Sequence, residues 1–407
     1  MLNWKKITIG VAMVAIIAIA STAVWLWLHP VEEVQVKPIK IGILEPLTGA
    51  SAYAGRGGLY GFQIAVQHIN EKGGVLGRPL VLIVEDTEGD PNKAISAAKK
   101  LITSDKVDFL AGLVLSGEAM AVADVVADYK TILMTTNPTT NELTRLVENN
   151  YERYKYLFRT QWNVTQWMWA WFSGFTDLFP DMKSVVFVTE DLMWAREATV
   201  ILGKYFRDAG IEYMDILFTP GTMDFSAEIA KIEGFNPDVV LVDLLQSTSV
   251  SIIKQWYALK PPSVFVGASG MLSYPVVLKE LGAADTDYLL TYNHLWRVPK
   301  TELTIRYFDD FVKISGDESF GTDSTSYDGL ILLAKAIEIA GTTDADAVIK
   351  ALEKNEFLGA RGTYRFMRNH QAEYISGLIL QWKNLKATVV WPPELATGEF
   401  QKPPWVP

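Results

Sequence analysis

The chain has 407 residues, more than one core ordinarily serves, since single cores stop growing at roughly 250–300 residues. Hydrophobic residues make up 49% and charged residues 21%, the balance of a globular body rather than a disordered one. A formal net charge of -10 without basic runs excludes nucleic acid as a partner, because that partner demands clustered Lys and Arg.

Cysteine is absent, which removes disulfides, thiolate nucleophiles, thiolate metal sites and lipid attachment through a cysteine. The histidines, His29, His68, His294 and His370, show no ligand spacing and read as surface or packed imidazoles. No metal and no cofactor is expected.

At the N-terminus, Lys5 and Lys6 precede a stretch from Ile7 to Leu28 with no ionisable side chain, long enough to cross ~30 Å of hydrocarbon as a helix. The basic pair before it and Glu32 and Glu33 after it place the N-terminus inside and the body outside. A cleaved signal is the competing reading, because Ala18-Ile19-Ala20 and Ser21-Thr22-Ala23 are small-x-small patterns. Apolar residues continue past both, and Trp25 and Trp27 suit a membrane interface, which favours an uncleaved anchor. Residues 1–30 are therefore expected to form a signal or membrane anchor, and 31–38 a linker.

From Ile39 onward short β-rich runs alternate with amphipathic helices. Ile39–Leu44 predicts a strand and Gly57–Asn70 a helix closed by Gly73-Gly74. After the strand Leu80–Glu85, Asp90-Pro91 supplies an N-cap and a first-turn proline for the next helix. Strands follow at Val107–Val114 and Ile132–Thr135, with a helix from Gly117 to Tyr129 between them. A Trp-rich helix spans Asn163–Phe179. The rhythm then repeats: strands Val185–Val188, Glu212–Phe218, Val239–Val242 and Val264–Val266 alternate with helices Trp194–Ala209, Phe225–Glu233 and Ser249–Leu259. Tyr288–Tyr292 reads as a crossing strand. Helices at Glu302–Ile314, Thr325–Ala340 (capped by Ser324) and Ala345–Asn355 precede strands near Gly362–Phe366, Tyr374–Trp382 and Ala387–Val390, and the Pro-rich end is expected to fray. Apolar strands alternating with helices mean mainly parallel sheets covered on both faces: an α/β fold with two doubly wound lobes.

No nucleotide or catalytic signature is present. Gly55-Arg56-Gly57-Gly58 lacks the G-x-G-x-x-G spacing, and Gly267-Ala268-Ser269-Gly270 is not a G-x-S-x-G elbow. What remains are polar loops at the C-terminal ends of parallel strands, where open α/β sheets bind ligands. Val114-Leu115-Ser116-Gly117 ends one strand with a serine at a helix N-cap. Thr135-Thr136-Asn137-Pro138-Thr139-Thr140 ends another in a hydroxyl-rich loop. Backbone N–H groups and hydroxyls there suit a carboxylate or another acceptor-rich head group, although plain capping is the commoner use of a lone Ser or Thr.

These segments also carry a family resemblance. IKIGILEPLTG, GFQIAVQHINEKGGVLGRPL, VEDTEGDPNKAISAAKKLI and ILMTTNPTTNELT, across Ile39–Thr144, resemble the first lobe of the periplasmic binding proteins of the branched-chain amino acid and amide type, the solute receptors of ABC importers. YLFRT at Tyr156–Thr160 resembles the segment where that family's chain crosses into its second lobe. Weaker likeness runs through DLMWARE, PDVVLVD, FVGASG and STSYDGLILLAKAIE.

The resemblance implies a type I periplasmic binding protein fold: lobe 1 from 39–159 and 292–367, lobe 2 from 160–291 and 368–407, and three crossings near Phe158–Thr160, Leu290–Asn293 and Arg365–Gln371. A small organic solute would bind between the lobes, which close by hinge motion and present it to an ABC permease. Carried over by position, Ser116 and Gly117 receive a carboxylate, Pro138 offers its carbonyl, and Thr139 or Thr140 a hydroxyl. Tyr53 lies one place from a family tyrosine, and Trp194 falls where an aromatic residue often closes the cleft. Leu245 sits near a place often held by an aromatic or polar contact. Ser269 stands where amino-acid receptors present an acid to the ligand ammonium, so the solute is a neutral amide, a carboxylic acid without an amino group, or an amino acid held differently; Asp243 is a substitute acid or a helix cap. A sensory ectodomain on the same fold would need an output domain, and only Met1–Lys6 lies inside. An α/β enzyme would need a nucleophile–base pair.

Overall fold

The computed structural model describes residues 36–244, 248–267, 275–282, 285–319, 321, 323–373 and 377–407. The expected anchor, with Ile7–Leu28, lies outside them, as do Leu245 and Ser269. No helix among the described residues is long and apolar enough to cross a membrane.

Strand β1 (Ile39–Glu45) is apolar at nearly every position and buried on both faces, which only the interior of a helix-covered parallel sheet allows. It pairs in parallel with β2 (Leu80–Asp86) on one side and β3 (Phe109–Gly112) on the other, and β4 (Leu133–Thr135) and β5 (Leu157–Arg159) extend the sheet to the order β2-β1-β3-β4-β5. The order reverses between β1 and β3, so the crevice at their carboxyl ends is the topological switch point at which such sheets bind ligands. Helices α1 (Ala52–Asn70), α2 (Pro91–Thr103) and α3 (Ser116–Tyr129) connect these strands. Asp90 caps α2 by accepting from the N–H groups of Asn92 (2.7 Å) and Lys93 (3.0 Å), as its sequence predicts.

After the short helices α4 (Glu142–Asn149) and α5 (Tyr151–Tyr154), the chain leaves the first sheet at Arg159. Helix α6 (Val164–Leu178) opens the second unit, with Asn163 and Gln166 forming a reciprocal capping box. Strands β6 (Ser184–Glu190), β7 (Glu212–Phe218), β8 (Val239–Asp243), β9 (Val264–Gly267) and β10 (Leu290–Asn293) alternate with helices α7 (Met193–Asp208), α8 (Ser226–Phe235), α9 (Ser249–Leu259) and α10 (Pro275–Leu281). The chain returns through α11 (Thr304–Ser315), α12 (Ser324–Ala340) and α13 (Ala345–Lys354), whose apolar faces join the core over β1, with Leu330, Ile337 and Leu352 fully buried. A hairpin of β11 (Glu356–Leu358) and β12 (Thr363–Arg365) follows. The chain crosses once more to add β13 (Leu378–Lys383) antiparallel to β10 and β14 (Lys386–Trp391) antiparallel to β13, giving the second sheet the order β14-β13-β10-β9-β8-β6-β7.

Several expectations are corrected. Leu115, not Ser116, holds the extended N-cap position of α3, where the Glu118 carboxylate accepts from the Leu115 N–H at 3.0 Å. Ser116 is already helical, so its hydroxyl is released for other partners. Asp323 likewise precedes α12, and Ser324 is its first residue. The Pro-rich end does not fray: Trp405 packs edge-on against Tyr257 and Tyr288, Phe400 against Phe179, and Gln401 exchanges hydrogen bonds with Gln381 (2.7 Å each way). Aromatic anchors spaced between the prolines outweigh the absence of periodicity that suggested a loose tail.

Candidate functional site

Strand geometry delivers the site. Gly112, at the end of β3, has φ +115°, and a β-carbon there would sit 2.4 Å from the Leu44 carbonyl oxygen. Only glycine lets β3 approach β1 this closely before turning into α3. That turn presents Ser116, whose Oγ accepts from the backbone N–H groups of Thr139 (3.3 Å) and Thr140 (3.2 Å) in the loop after β4. The two polar loops picked out in the sequence therefore meet. The first N–H groups of α3 have no acceptor within the helix and face outward from its N-terminus, where negative charge is favoured.

The loop is also held from the second unit. Thr139 accepts at its carbonyl from Val164 N (2.8 Å), the first residue of α6. The Glu197 carboxylate on α7 accepts from the Thr140 hydroxyl and, at 3.0 Å, from Asn141 N. Asn141 Nδ2 donates to Thr165 Oγ1 at 3.1 Å. Thr140 has thus committed its hydroxyl to Glu197, whereas the Thr139 hydroxyl has no hydrogen bond among the described residues.

Arg159, at the end of β5, anchors this arrangement. It is 2% exposed. Its Nη1 donates to the Thr140 carbonyl (2.6 Å) and lies 3.4 Å from that of Pro138; its Nε donates to Gln371 Oε1 (2.6 Å) on the third crossing. The Pro138 carbonyl, expected to face the solute, is therefore shared with a protein cation. Burial pulls the guanidinium down to about 9, opposed by the field of Glu197, so it remains charged at neutral pH. Its Nη2 has no partner among the described residues.

Trp194, one turn before Glu197 on α7, is 4% exposed and stacks on Trp167 at 5.3 Å. Both indole N–H groups are buried without a partner among the described residues. Trp194 is thus close to the Thr139–Asn141 loop through its helix, but it is also a core residue of the second unit. Tyr53 sits apart from Ser116. It packs against the second unit's core and lines a pocket of 190 Å³ with Arg56, Tyr60, Phe311 and Asp317, to which neither Ser116 nor Thr139 contributes. Asp243 is fully buried at the end of β8.

The described histidines are packed imidazoles. His68 bonds Tyr327 Oη (2.9 Å) and Asp310 (2.7 Å), His370 bonds the Leu157 carbonyl and Glu353 (3.0 Å each), and His294 pairs with Gln161 (3.2 Å). Burial, reinforced by Arg361, holds His294 well below the usual imidazole range.

Residues missed in the sequence are Arg159, Glu197 and Asn141. Arg159 was visible only as part of the YLFRT crossing, and Glu197 only as the last letter of DLMWARE; their roles depend on contacts some 20 to 210 residues away.

A family model described as Periplasmic binding protein matches residues 38–384. The Leu/Ile/Val-binding protein homolog 7 of Brucella suis is 27% identical over 384 residues, covering 90% of this chain and 94% of that protein. A leucine binding protein from Thermotoga maritima superposes with a TM-score of 0.76 at 24% identity, over 86% of this chain and 97% of that one. A solute binding protein from R. palustris in complex with benzoate gives 0.75 at 22% identity, over 87% and 95%. At these identities the two structures speak to the fold.

Proposed function

Because this chain belongs to the periplasmic binding protein family, we propose that it captures a small organic solute outside the cytoplasm and delivers it to the permease of an ABC importer. It is a binding protein, not an enzyme: the solute is taken up and released unchanged. The observation that carries the reading is the loop Pro138–Asn141, bonded at once to Ser116 in the first unit and to Glu197 and Val164 in the second. A solute seated on that loop contacts both halves and stabilises their closed arrangement by its differential affinity.

In this reading Ser116, Gly117 and Thr139 receive an acceptor-rich head group, a carboxylate above all. Pro138 and Thr140 shape the loop and Trp194 lies near it through α7, while Tyr53, Leu245 and Ser269 remain contacts implied by the family resemblance alone. Lobes of 39–159 with 292–367 and of 160–291 with 368–407 close about the three crossings. Relatives named for leucine, isoleucine and valine support a solute that is a branched-chain amino acid, an amide or a small carboxylic acid.

A thermal-shift screen across amino acids, amides and organic acids tests this directly. A solute at 100 times its Kd should add about 2.7 kcal/mol of stability. A panel in which every compound leaves the transition unmoved would speak against a solute of these classes.

The Ile7–Leu28 segment supports a further part of the reading: an uncleaved helix that tethers the body beside its permease. Expressed with its full N-terminus, the protein should then sediment with membranes after carbonate washing, and a protein released in soluble form would count against the tether.

A further inference from the structure

The first sheet carries a carboxyl that no part of the account so far uses. Glu45 is the last residue of β1, at the carboxyl-end crevice between β1 and β3 where this strand order places ligands. It is 0% exposed, and neither Oε1 nor Oε2 has a hydrogen-bond partner among the described residues. Buried carboxyls without partners are rare, because each loses water without replacement.

Glycines make room for its tip: a β-carbon on Gly58 of α1 would lie 2.7 Å from Oε1, and one on Gly112 would lie 3.2 Å from it. Ser326 of α12 closes the same nook, its Oγ 3.2 Å from the position of that Gly58 β-carbon, but it spends its hydroxyl on Thr136 at 3.1 Å. Glu118, two residues after Ser116 on α3, bears on Glu45 electrostatically and is itself bonded to Leu115 N. Burial first, and the Glu118 charge second, push the Glu45 carboxyl well above the usual carboxylate range.

We infer that Glu45 is the specificity-determining acid of the site, accepting hydrogen bonds from an ammonium group that the solute carries beside its carboxylate. This rests on the reading that the solute sits at the Ser116 and Thr139 loops. Those loops supply donors to a carboxylate, and Glu45, at the neighbouring strand end, supplies acceptors. A cation arriving next to Glu45 favours its ionised form, the proton leaving to solvent. The absence of an acid at Ser269 then does not exclude amino acids, because the charge partner comes from the first sheet instead of the second.

The test is calorimetric titration of the full-length protein and of Glu45→Gln with two matched pairs: L-leucine against isocaproate, and L-phenylalanine against hydrocinnamate. Each second member lacks the amino group. The wild-type protein should prefer an amino acid over its des-amino partner, and Glu45→Gln should weaken the amino acid by about 10- to 100-fold while leaving the des-amino acid unchanged. The amide has the shape of the carboxyl it replaces, and that carboxyl has no hydrogen bond to lose among the described residues, so the variant should fold. Amino-acid affinity that survives Glu45→Gln, a des-amino acid bound as tightly as its partner, or no binding of either amino acid would overturn the inference. Ser116→Ala separates the two levels. Binding lost in Ser116→Ala but untouched in Glu45→Gln removes only the role of Glu45. Binding untouched in both removes the site reading and the inference with it.

Discussion

Alanine at both Ser116 and Thr139 is expected to weaken solute binding by about 100-fold or more while the protein stays folded. Each hydroxyl that meets a charged head group contributes about 1.5–3 kcal/mol, so losing two removes most of the affinity of a small solute. The bonds lost are buried but long: Ser116 Oγ accepts from Thr139 N and Thr140 N at 3.3 and 3.2 Å, and the Thr139 hydroxyl has no partner to lose among the described residues. A stability loss of about 1–3 kcal/mol is expected, short of unfolding the protein. Calorimetric titration with the solute found by screening, together with urea denaturation, separates binding from stability. Affinity within threefold of the wild type would put the site elsewhere.

The second large effect is at Arg159. Replacing it with leucine leaves the carbonyl of Thr140 and the amide oxygen of Gln371 buried without their donor. Removing one member of a buried charged network costs about 3–5 kcal/mol. It also frees the loop that Ser116 and Glu197 share, so binding should fall together with stability. Arg159→Lys keeps the charge but cannot reach both acceptors through a planar group, and an intermediate loss is expected. A urea midpoint for Arg159→Leu equal to that of the wild type would show that the guanidinium holds nothing in place.

These two predictions also mark what the sequence discloses. Ser116 and Thr139 were legible because strand ends, turn residues and hydroxyls are local features, read from a few neighbouring letters. The same holds for most elements: Glu212–Phe218 and Ser249–Leu259 have the bounds that periodicity predicts. Helix α4 was not legible, since Glu142–Asn149 follows the polar loop without a break in composition and its apolar face is short. The cap of α3 was misassigned because a serine before a helix resembles a cap whether or not it is one; Glu118 folding back to Leu115 N took that role and released Ser116. Arg159, Glu197 and Glu45 were missed for a different reason. Each draws its meaning from burial and from partners brought in by topology, and a charged letter in a sequence reads first as surface. Trp194 shows the limit from the other side. Its position suggested a cleft wall, and the structure stacks it on Trp167 inside the second core, beside the helix turn that carries Glu197.

The central claim is that solute binding at the Ser116 and Thr139 loops closes two lobes on one another. The absence of cysteine makes that measurable, since Lys99→Cys on α2 and Lys231→Cys on α8, both exposed, would be the only labelling sites in the chain. Pulsed electron resonance between spin labels at these two positions should show a shorter, narrower distance distribution when the screened solute is added. The same experiment in the Ser116→Ala, Thr139→Ala background should show no change. A distribution indifferent to a saturating solute in the wild-type background, or one that shifts equally in the double variant, would contradict the account.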